Sequence, residues 1–396
     1  VSVATEVSQR PEEHTLDRRA ILVLACGHGS ADIAQGSVPA LLPFLHHDYG
    51  YSYAALAALV LAMTITSSLI QPIFGYLADR RSMPWLLPVG VLVAGTGIAF
   101  SGLSHSYPLT FAAIAVSGLG VGAYHPEGAR YANYVCAGPR RATGMSLYSV
   151  GGNVGFALGP ILATPLVLAF GMNGTAWLAV LYAAMLAVVL LNLAYVISFR
   201  PAGGRGPSAA TQAARPDRWG PFSLVAGVAS FRSAVYFGLQ SFLAVYLIHR
   251  FHVSESTGNA ALTVMLVMGA IGTLVGGRLG DRIGLKPVLL ICIPAMAPLI
   301  ALLLVGGLGV DFVLVALIGF FTVGTFSTTV VLGQHFLPNQ IGVASGITMG
   351  AAIGIGGVCA TLLGLLADAT SLSTVMAVIV LLPLPGLLCA LLVPKN

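Results

Sequence analysis

His28, Asp32 and Gln35 are spaced i, i+4, i+7, so a helix through them carries an imidazole, a carboxylate and an amide on one face. Glu127 and Arg130 stand three residues apart, close enough on a helix to pair with each other, and His125 lies just before them. Arg232 has no acidic residue near it in the chain. Its guanidinium stays charged and presents a fork suited to phosphonate or carboxylate oxygens, and Tyr236 follows one helical turn later. Three chemistries are open to these groups. His28, Asp32 and Glu127 can load and release protons, because low-dielectric surroundings favour the neutral form of a carboxylate. Arg232, Arg130, Gln35, His125 and Tyr236 can hold a small anionic molecule. His28, Asp32, His125 and Glu127 can instead ligate a divalent metal, since imidazole and carboxylate are suitable ligands. Arg130 and Arg232 would repel a cation, so the first two uses are preferred and no metal or cofactor is expected. Catalysis by the same residues is poorly served. The chain has no HExxH and no GxSxG elbow with plausible partners, so it is not expected to be an enzyme.

The elements that must position these groups are long and apolar. Of 396 residues, 57% are hydrophobic and 8% charged, against roughly 25% charged in a soluble domain, and the mean hydropathy is +0.91. Twelve apolar runs long enough to cross a bilayer begin near Ala20, Tyr53, Pro84, Tyr107, Arg141, Asn173, Trp219, Glu255, Lys286, Asp311, Gln340 and Ser371. Residues 1–19 read as a polar tail with no cleaved signal peptide, 20–199 as a six-helix bundle, 200–218 as a Gly-, Pro- and Arg-containing linker, and 219–396 as a second six-helix bundle. Lys and Arg exceed Asp and Glu by 18 to 13, but they are spread among short loops, so no nucleic-acid partner is expected. Fifteen of them fall in one alternate set of loops and termini, and Arg250 alone falls in the other. By the retention of basic residues on the cytoplasmic side, both termini and the linker are expected in the cytoplasm of a bacterium, with the helices in its inner membrane. The five cysteines lie in apolar stretches with no CxxC pair and read as buried small side chains.

The two bundles look like copies. Gly75-Tyr76-Leu77-Ala78-Asp79-Arg80 recurs 202 residues later as Gly277-Arg278-Leu279-Gly280-Asp281-Arg282. The same offset carries Ala142-Thr143-Gly144 onto Ala344-Ser345-Gly346, and Gly152 and Gly155 onto Gly354 and Gly357. It also carries Asp32 onto Ala234 and Glu127 onto Thr329, so the titratable acids belong to the first half and the lone Arg232 to the second. Asp32, Glu127 and Arg232 are each about twelve residues from the cytoplasmic end of their helix, roughly 18 Å and near the midplane of the bilayer. An ionisable group there costs about 2.5–3.5 kcal/mol on insertion scales and needs a partner or water. For Arg232 that partner is an anion, or else Asp32 or Glu127 across the halves. Gln334, His335 and Asn339 lie at the cytoplasmic end of the tenth run, as an interfacial or gating group.

The repeated Gly-x-Leu-x-Asp-Arg segment resembles the loop signature of the major facilitator superfamily. The first copy departs from it, with Ser82, Met83 and Pro84 where the second has Gly284, Leu285 and Lys286. Gly144, Gly151, Gly152, Gly155, Gly159 and Pro160 in the fifth run resemble the glycine face, closed by Gly-Pro, of exporters in that superfamily. Gly27 to Pro43, Tyr124 to Arg130 and Phe231 to Tyr236 look like the fosmidomycin-resistance family, a bacterial branch. The resemblance implies an all-α membrane protein of the major facilitator fold, with twelve transmembrane helices in two pseudo-symmetric six-helix bundles. The first, fourth, seventh and tenth helices then line a central cavity. It implies a monomeric drug/proton antiporter working by alternating access, whose partners are protons, the lipid bilayer and a small-molecule substrate such as a phosphonate antibiotic. Gly75, Asp79, Arg80, Gly277, Asp281, Arg282, Gly155, Gly159 and Pro160 become its conformational motifs.

Overall fold

A computed structural model describes residues 17–71, 73–74, 77, 83–136, 141–200 and 216–394, without the side chains of 69, 141–143, 146, 341 and 342. Gly75, Asp79 and Arg80, and most of the linker, lie outside the described residues. Twelve helices follow in order among the described residues. The first six are α1 (Arg18–Tyr49), α2 (Tyr53–Leu69), α3 (Leu86–Phe100), α4 (Tyr107–Val135), α5 (Arg141–Phe170) and α6 (Leu178–Ile197), the last two joined by a 3-10 turn, Gly171–Trp177. The second six are α7 (Trp219–Phe251), α8 (Glu255–Ile283), α9 (Leu285–Val305), α10 (Leu308–Phe336, broken at Thr325), α11 (Ile341–Ser345, a π segment Gly346–Ala351, then Ala352–Ala369) and α12 (Leu372–Leu392, broken at Leu382).

Side-chain caps fix several starts. Asp17 accepts from the Ala20 N–H at 2.7 Å, and Ser52, Ser254 and Ser371 accept from the third residue beyond. Gly50 (φ 65°) ends α1, and Gly284 (φ 96°) turns α8 into α9, left-handed positions that favour glycine. Large apolar side chains such as Val180, Leu191 and Val305 face outward and exposed, as helices in lipid require. Among the described residues, eight helical stretches are long and apolar enough to cross a bilayer, and α2 and α3 are shorter apolar helices. The 32-residue α1 is long enough but too polar to count, because His28, Asp32 and Gln35 occupy its centre.

Glycine draws α1 against α5. A Cβ at Gly155 would collide with the Gly29 backbone, one at Gly159 with Gly36 and Ser37, and one at Gly151 with Ala25. Pro160 has no N–H, so the Phe156 carbonyl lacks its helical donor, and that carbonyl is where Gly36 of α1 presses closest. Each glycine costs a helix about 1 kcal/mol relative to alanine. Helix association in a bilayer depends on close packing, which these positions permit.

The two halves are pinned at the end where α1 and α7 finish. The N–H groups of Tyr53 and Ala54, opening α2, donate to the two carboxylate oxygens of Asp368 on α11, at 2.7 and 2.9 Å. Beside them, Gly357 and Gly364 of α11 pack on Leu61 and Ala54. Asn259 of α8 donates to the Ala40 carbonyl of α1 at 2.8 Å and to Thr164 of α5 at 3.0 Å. Among the described residues no hydrogen bond joins the halves at the opposite end. Asp281 and Arg282 stand exposed there, at the close of α8, without an ion pair among the described residues. Gln334 ties α10 to Ser345, and Asn339 takes Asp217 as one of its partners.

Candidate functional site

Asp32, which is 8% exposed, is the centre of a network drawn from α1, α4, α5 and the end of α2. From its own helix, Gln35 Nε2 donates to Oδ1 at 3.1 Å, and His28 Nε2 lies 3.3 Å from Oδ2. From α4, His125 Nε2 meets Oδ1 at 3.0 Å, and from the end of α2 Gln71 Nε2 reaches His125 Nδ1 at 3.2 Å. From α5, the Tyr148 carbonyl takes His28 Nδ1 at 2.9 Å, and the Tyr148 ring stacks on His28 at 4.3 Å. The site can exist only because α5 has glycine opposite it. A Cβ on Gly152 would lie 2.5 Å from Asp32 Oδ2 and from His28 Cε1.

These partners determine where the protons are. The Gln71 amide donates to Nδ1 of His125, so Nε2 of that ring carries its hydrogen and donates to Asp32. A carbonyl cannot donate, so His28 uses its Nδ1–H on Tyr148 and turns the other ring nitrogen towards Asp32. A neutral His28 facing an ionised Asp32 would set two lone pairs against each other. The 3.3 Å contact is therefore a hydrogen bond only when one proton lies between them, on the imidazole or on the carboxyl. Donor atoms of His28, Asp32 and His125 all fall within 4.8 Å of one another, a spacing that one divalent ion could bridge. Doing so would displace the hydrogens these contacts use.

Glu127 belongs elsewhere. It is fully buried, accepts from the Met83 N–H of the α2–α3 connection at 3.2 Å and lies 3.4 Å from Arg130. It follows His125 by two residues, about 3 Å along α4 and more than half a turn round it, so it stays near the level of Asp32 but faces another side of the helix. For the same reason Glu127 does not join the possible metal group, and Arg130 is first of all its ion-pair partner.

Arg232 of α7 is 6% exposed. It donates to Ser233 Oγ at 3.2 Å, rests over the Phe326 ring of α10 at 5.3 Å, and leaves Nε without a partner among the described residues. No carboxylate lies within ion-pair distance of it among the described residues, so the cross-half pair with Asp32 or Glu127 is absent here. Tyr236 follows one turn along α7 and is half-buried. Of the residues singled out in the sequence, the structure brings His28, Gln35 and His125 to Asp32 and leaves Arg232 outside that group among the described residues. Sequence spacing missed Gln71, Tyr148 and the cradle at Gly152, whose contacts cross between helices.

A twelve-helix, two-bundle membrane protein with buried polar groups on α1, α4 and α7 is the architecture of a secondary transporter. The model of the Major Facilitator Superfamily matches residues 24–361 and 225–396. The fosmidomycin resistance protein of Escherichia coli (strain K12) is 33% identical over 376 residues, covering 94% of this chain and 92% of that protein. An uncharacterised transporter of the same superfamily from Bacillus subtilis (strain 168) is 32% identical over 378 residues, with the same coverage. Among solved structures, the nucleoside transporter NupG superposes with a TM-score of 0.75 at 14% identity, over 95% of this chain and 100% of that one. A bacterial homolog of the human lysosomal transporter Spinster gives 0.67 at 18% identity, over 94% of this chain and 93% of that one. The chain belongs to the major facilitator superfamily, as a transporter of the fosmidomycin-resistance type. It is a multi-pass membrane transporter of a small molecule and not an enzyme.

Proposed function

We propose that the chain is a proton-coupled antiporter that exports a small anionic organic compound, such as a phosphonate antibiotic, across the bacterial inner membrane. It acts as a monomer, with both termini and the 200–218 linker between its two bundles (20–199 and 219–396) in the cytoplasm. The basic residues of alternate loops support this orientation. The end held by Asp368 and Asn259 is then periplasmic, and the present arrangement is closed to the periplasm.

The observation that carries the coupling is the 3.3 Å approach of His28 Nε2 to Asp32 with the other ring nitrogen on the Tyr148 carbonyl, read as a one-proton contact. While the proton is there, the network of Gln71, His125, Gln35, Asp32 and His28 is complete. Its loss leaves an ionised Asp32 facing a lone pair, in need of a new donor. A substrate hydroxyl or N–H supplies that donor, while Arg232 takes the anionic end of the same molecule. Reprotonation from the periplasmic side removes the acceptor and expels the donor. Substrate and proton thus occupy Asp32 in turn, which is what exchange requires. Glu127, with Arg130, acts on the α2–α3 connection next to the first loop motif and contributes a second titratable group.

The test is uptake of fosmidomycin into inverted membrane vesicles under an imposed pH gradient, interior acidic. Wild type accumulates the compound, collapse of the gradient stops it, and Asp32→Asn and Glu127→Gln reduce the gradient dependence. Uptake that ignores the gradient, or is unchanged in both variants, contradicts the coupling. The clustering of His28, Asp32 and His125 also supports a second reading, in which the cargo is a divalent metal or its chelate. Zinc or cobalt added alone would then raise the melting temperature of wild type and not of His125→Ala.

A further inference from the structure

Arg232, Tyr236 and Gln240 follow one another at i, i+4, i+8 and form a stripe along α7, the first two already taken as substrate contacts. Gln240 is 2% exposed, and its Oε1 has no partner among the described residues. It borders a small gap of about 10 Å³ between the halves, together with Gln35, Pro39, Thr64, Phe156 and Phe237. That is room for one water-sized group. Leaving a buried amide oxygen unpaired is unfavourable, and the rest of the interface here is apolar or internally bonded. Thr64 uses its hydroxyl on the Val60 carbonyl, and Gln35 gives its amide to Asp32. Something else must answer Gln240.

We propose that Gln240 is a specificity-determining substrate contact, taking a neutral hydrogen-bonding group of the cargo about 12 Å along α7 from the anionic group held at Arg232. The cargo class is accordingly an elongated anion with a neutral hydrogen-bond-donating tail, such as an amide or hydroxyl, in preference to a compact or purely alkyl anion. The inference rests on the reading of Arg232 as the anion anchor. The Arg232 end selects charge, and the Gln240 end selects a polar tail over an apolar one, because an apolar tail would leave the Gln240 amide unsatisfied.

Two synthetic probes separate these roles: an alkylphosphonate ending in a primary amide, and its isostere ending in an isopropyl group, with five methylenes in each. Binding is measured by microscale thermophoresis on the purified full chain, with ligand-free melting as the control for folding. Wild type is expected to bind the amide probe about tenfold tighter than the isopropyl probe. Gln240→Met, which keeps the volume, is expected to bind both equally, and Arg232→Gln neither. Should Gln240→Met not fold, Gln240→Asn, which withdraws the amide by one methylene, is expected to narrow the preference. No preference in wild type, or an undiminished one in the Gln240 variants, overturns the proposal and leaves Gln240 as a water site. Binding that survives Arg232→Gln with the amide preference intact overturns the anion anchor alone. Failure of both probes to bind wild type overturns both.

Discussion

Asp32 is surrounded by groups whose hydrogen-bonding roles leave it little choice. Gln71 fixes the tautomer of His125, the Tyr148 carbonyl fixes that of His28, and one dissociable proton remains between His28 and Asp32. In Asp32→Asn the new amide donates to His28 permanently, so the variant imitates the protonated state. It is expected to fold as wild type does and to lose at least about tenfold in gradient-driven transport, on the scale of one charge-assisted hydrogen bond. Gly152→Ala places a methyl group where Asp32 and His28 now sit, whereas Gly354→Ala, at the position 202 residues on, adds one where nothing lies within 4 Å. The first should cost about 1–3 kcal/mol of stability and most transport, and the second less than about 0.5 kcal/mol. Thermal melting and vesicle uptake on the pair check this, and equal effects would contradict the cradle. Which residues carry charge was legible in the sequence, because helical spacing puts His28, Asp32 and Gln35 on one face. Meetings within one helix, His28 with Asp32 and Glu127 with Arg130, were legible too, while those between helices were so only for His125. The contacts of Gln71, Tyr148 and Gly152 arise from packing between helices.

At the scale of elements, two devices organise the site. Backbone-to-backbone packing of α1 on α5 through Gly29, Gly36, Gly151, Gly155 and Gly159 makes these helices one unit, so that the His28 side chain and the Tyr148 carbonyl keep their register. Gly36→Leu should prevent folding of the first bundle, read as loss of a monodisperse peak after extraction, since a side chain there has only the Phe156 backbone to displace. The second device is the Asp368 carboxylate on the first N–H groups of α2, which joins the halves as a helix cap and also meets the positive end of the helix dipole. Asp368→Asn keeps one acceptor and removes the charge, weakening this closure by about 0.5–2 kcal/mol. Spin labels at the ends of α2 and α11 should show a larger population of long distances in the variant, and an unchanged distribution would deny Asp368 a part in closing that side. The starts of the helices were legible to within a few residues, because Pro, Gly and capping Ser punctuate the apolar runs. The cap from Asp368 was not, because an acid at the end of one helix says nothing about which other helix it will meet.

For the molecule as a whole, duplication supplied the frame and divergence supplied the chemistry. The halves repeat in helix order and glycine pattern, yet Asp32 corresponds to Ala234 and Glu127 to Thr329. In the proposed cycle proton handling therefore belongs to α1, α4 and α5 of one bundle, and the anion anchor to α7 of the other. A substrate gripped from both sides feels each rocking motion as a change in its contacts, and a proton at Asp32 competes for only one of those grips. The shared offset exposed this asymmetry in the sequence, whereas the side on which the halves are pinned became visible only in the packed chain. Exchange requires substrate and proton to replace each other at Asp32, and the most direct test is the proton released on binding. Purified wild-type protein in weakly buffered solution, titrated with fosmidomycin, is expected to release about one proton per molecule bound, with affinity rising up to about tenfold per pH unit through the titration of the pair. Asp32→Asn is expected to release none and to show no such slope. Binding by wild type without proton release, or with proton uptake, would contradict the exchange.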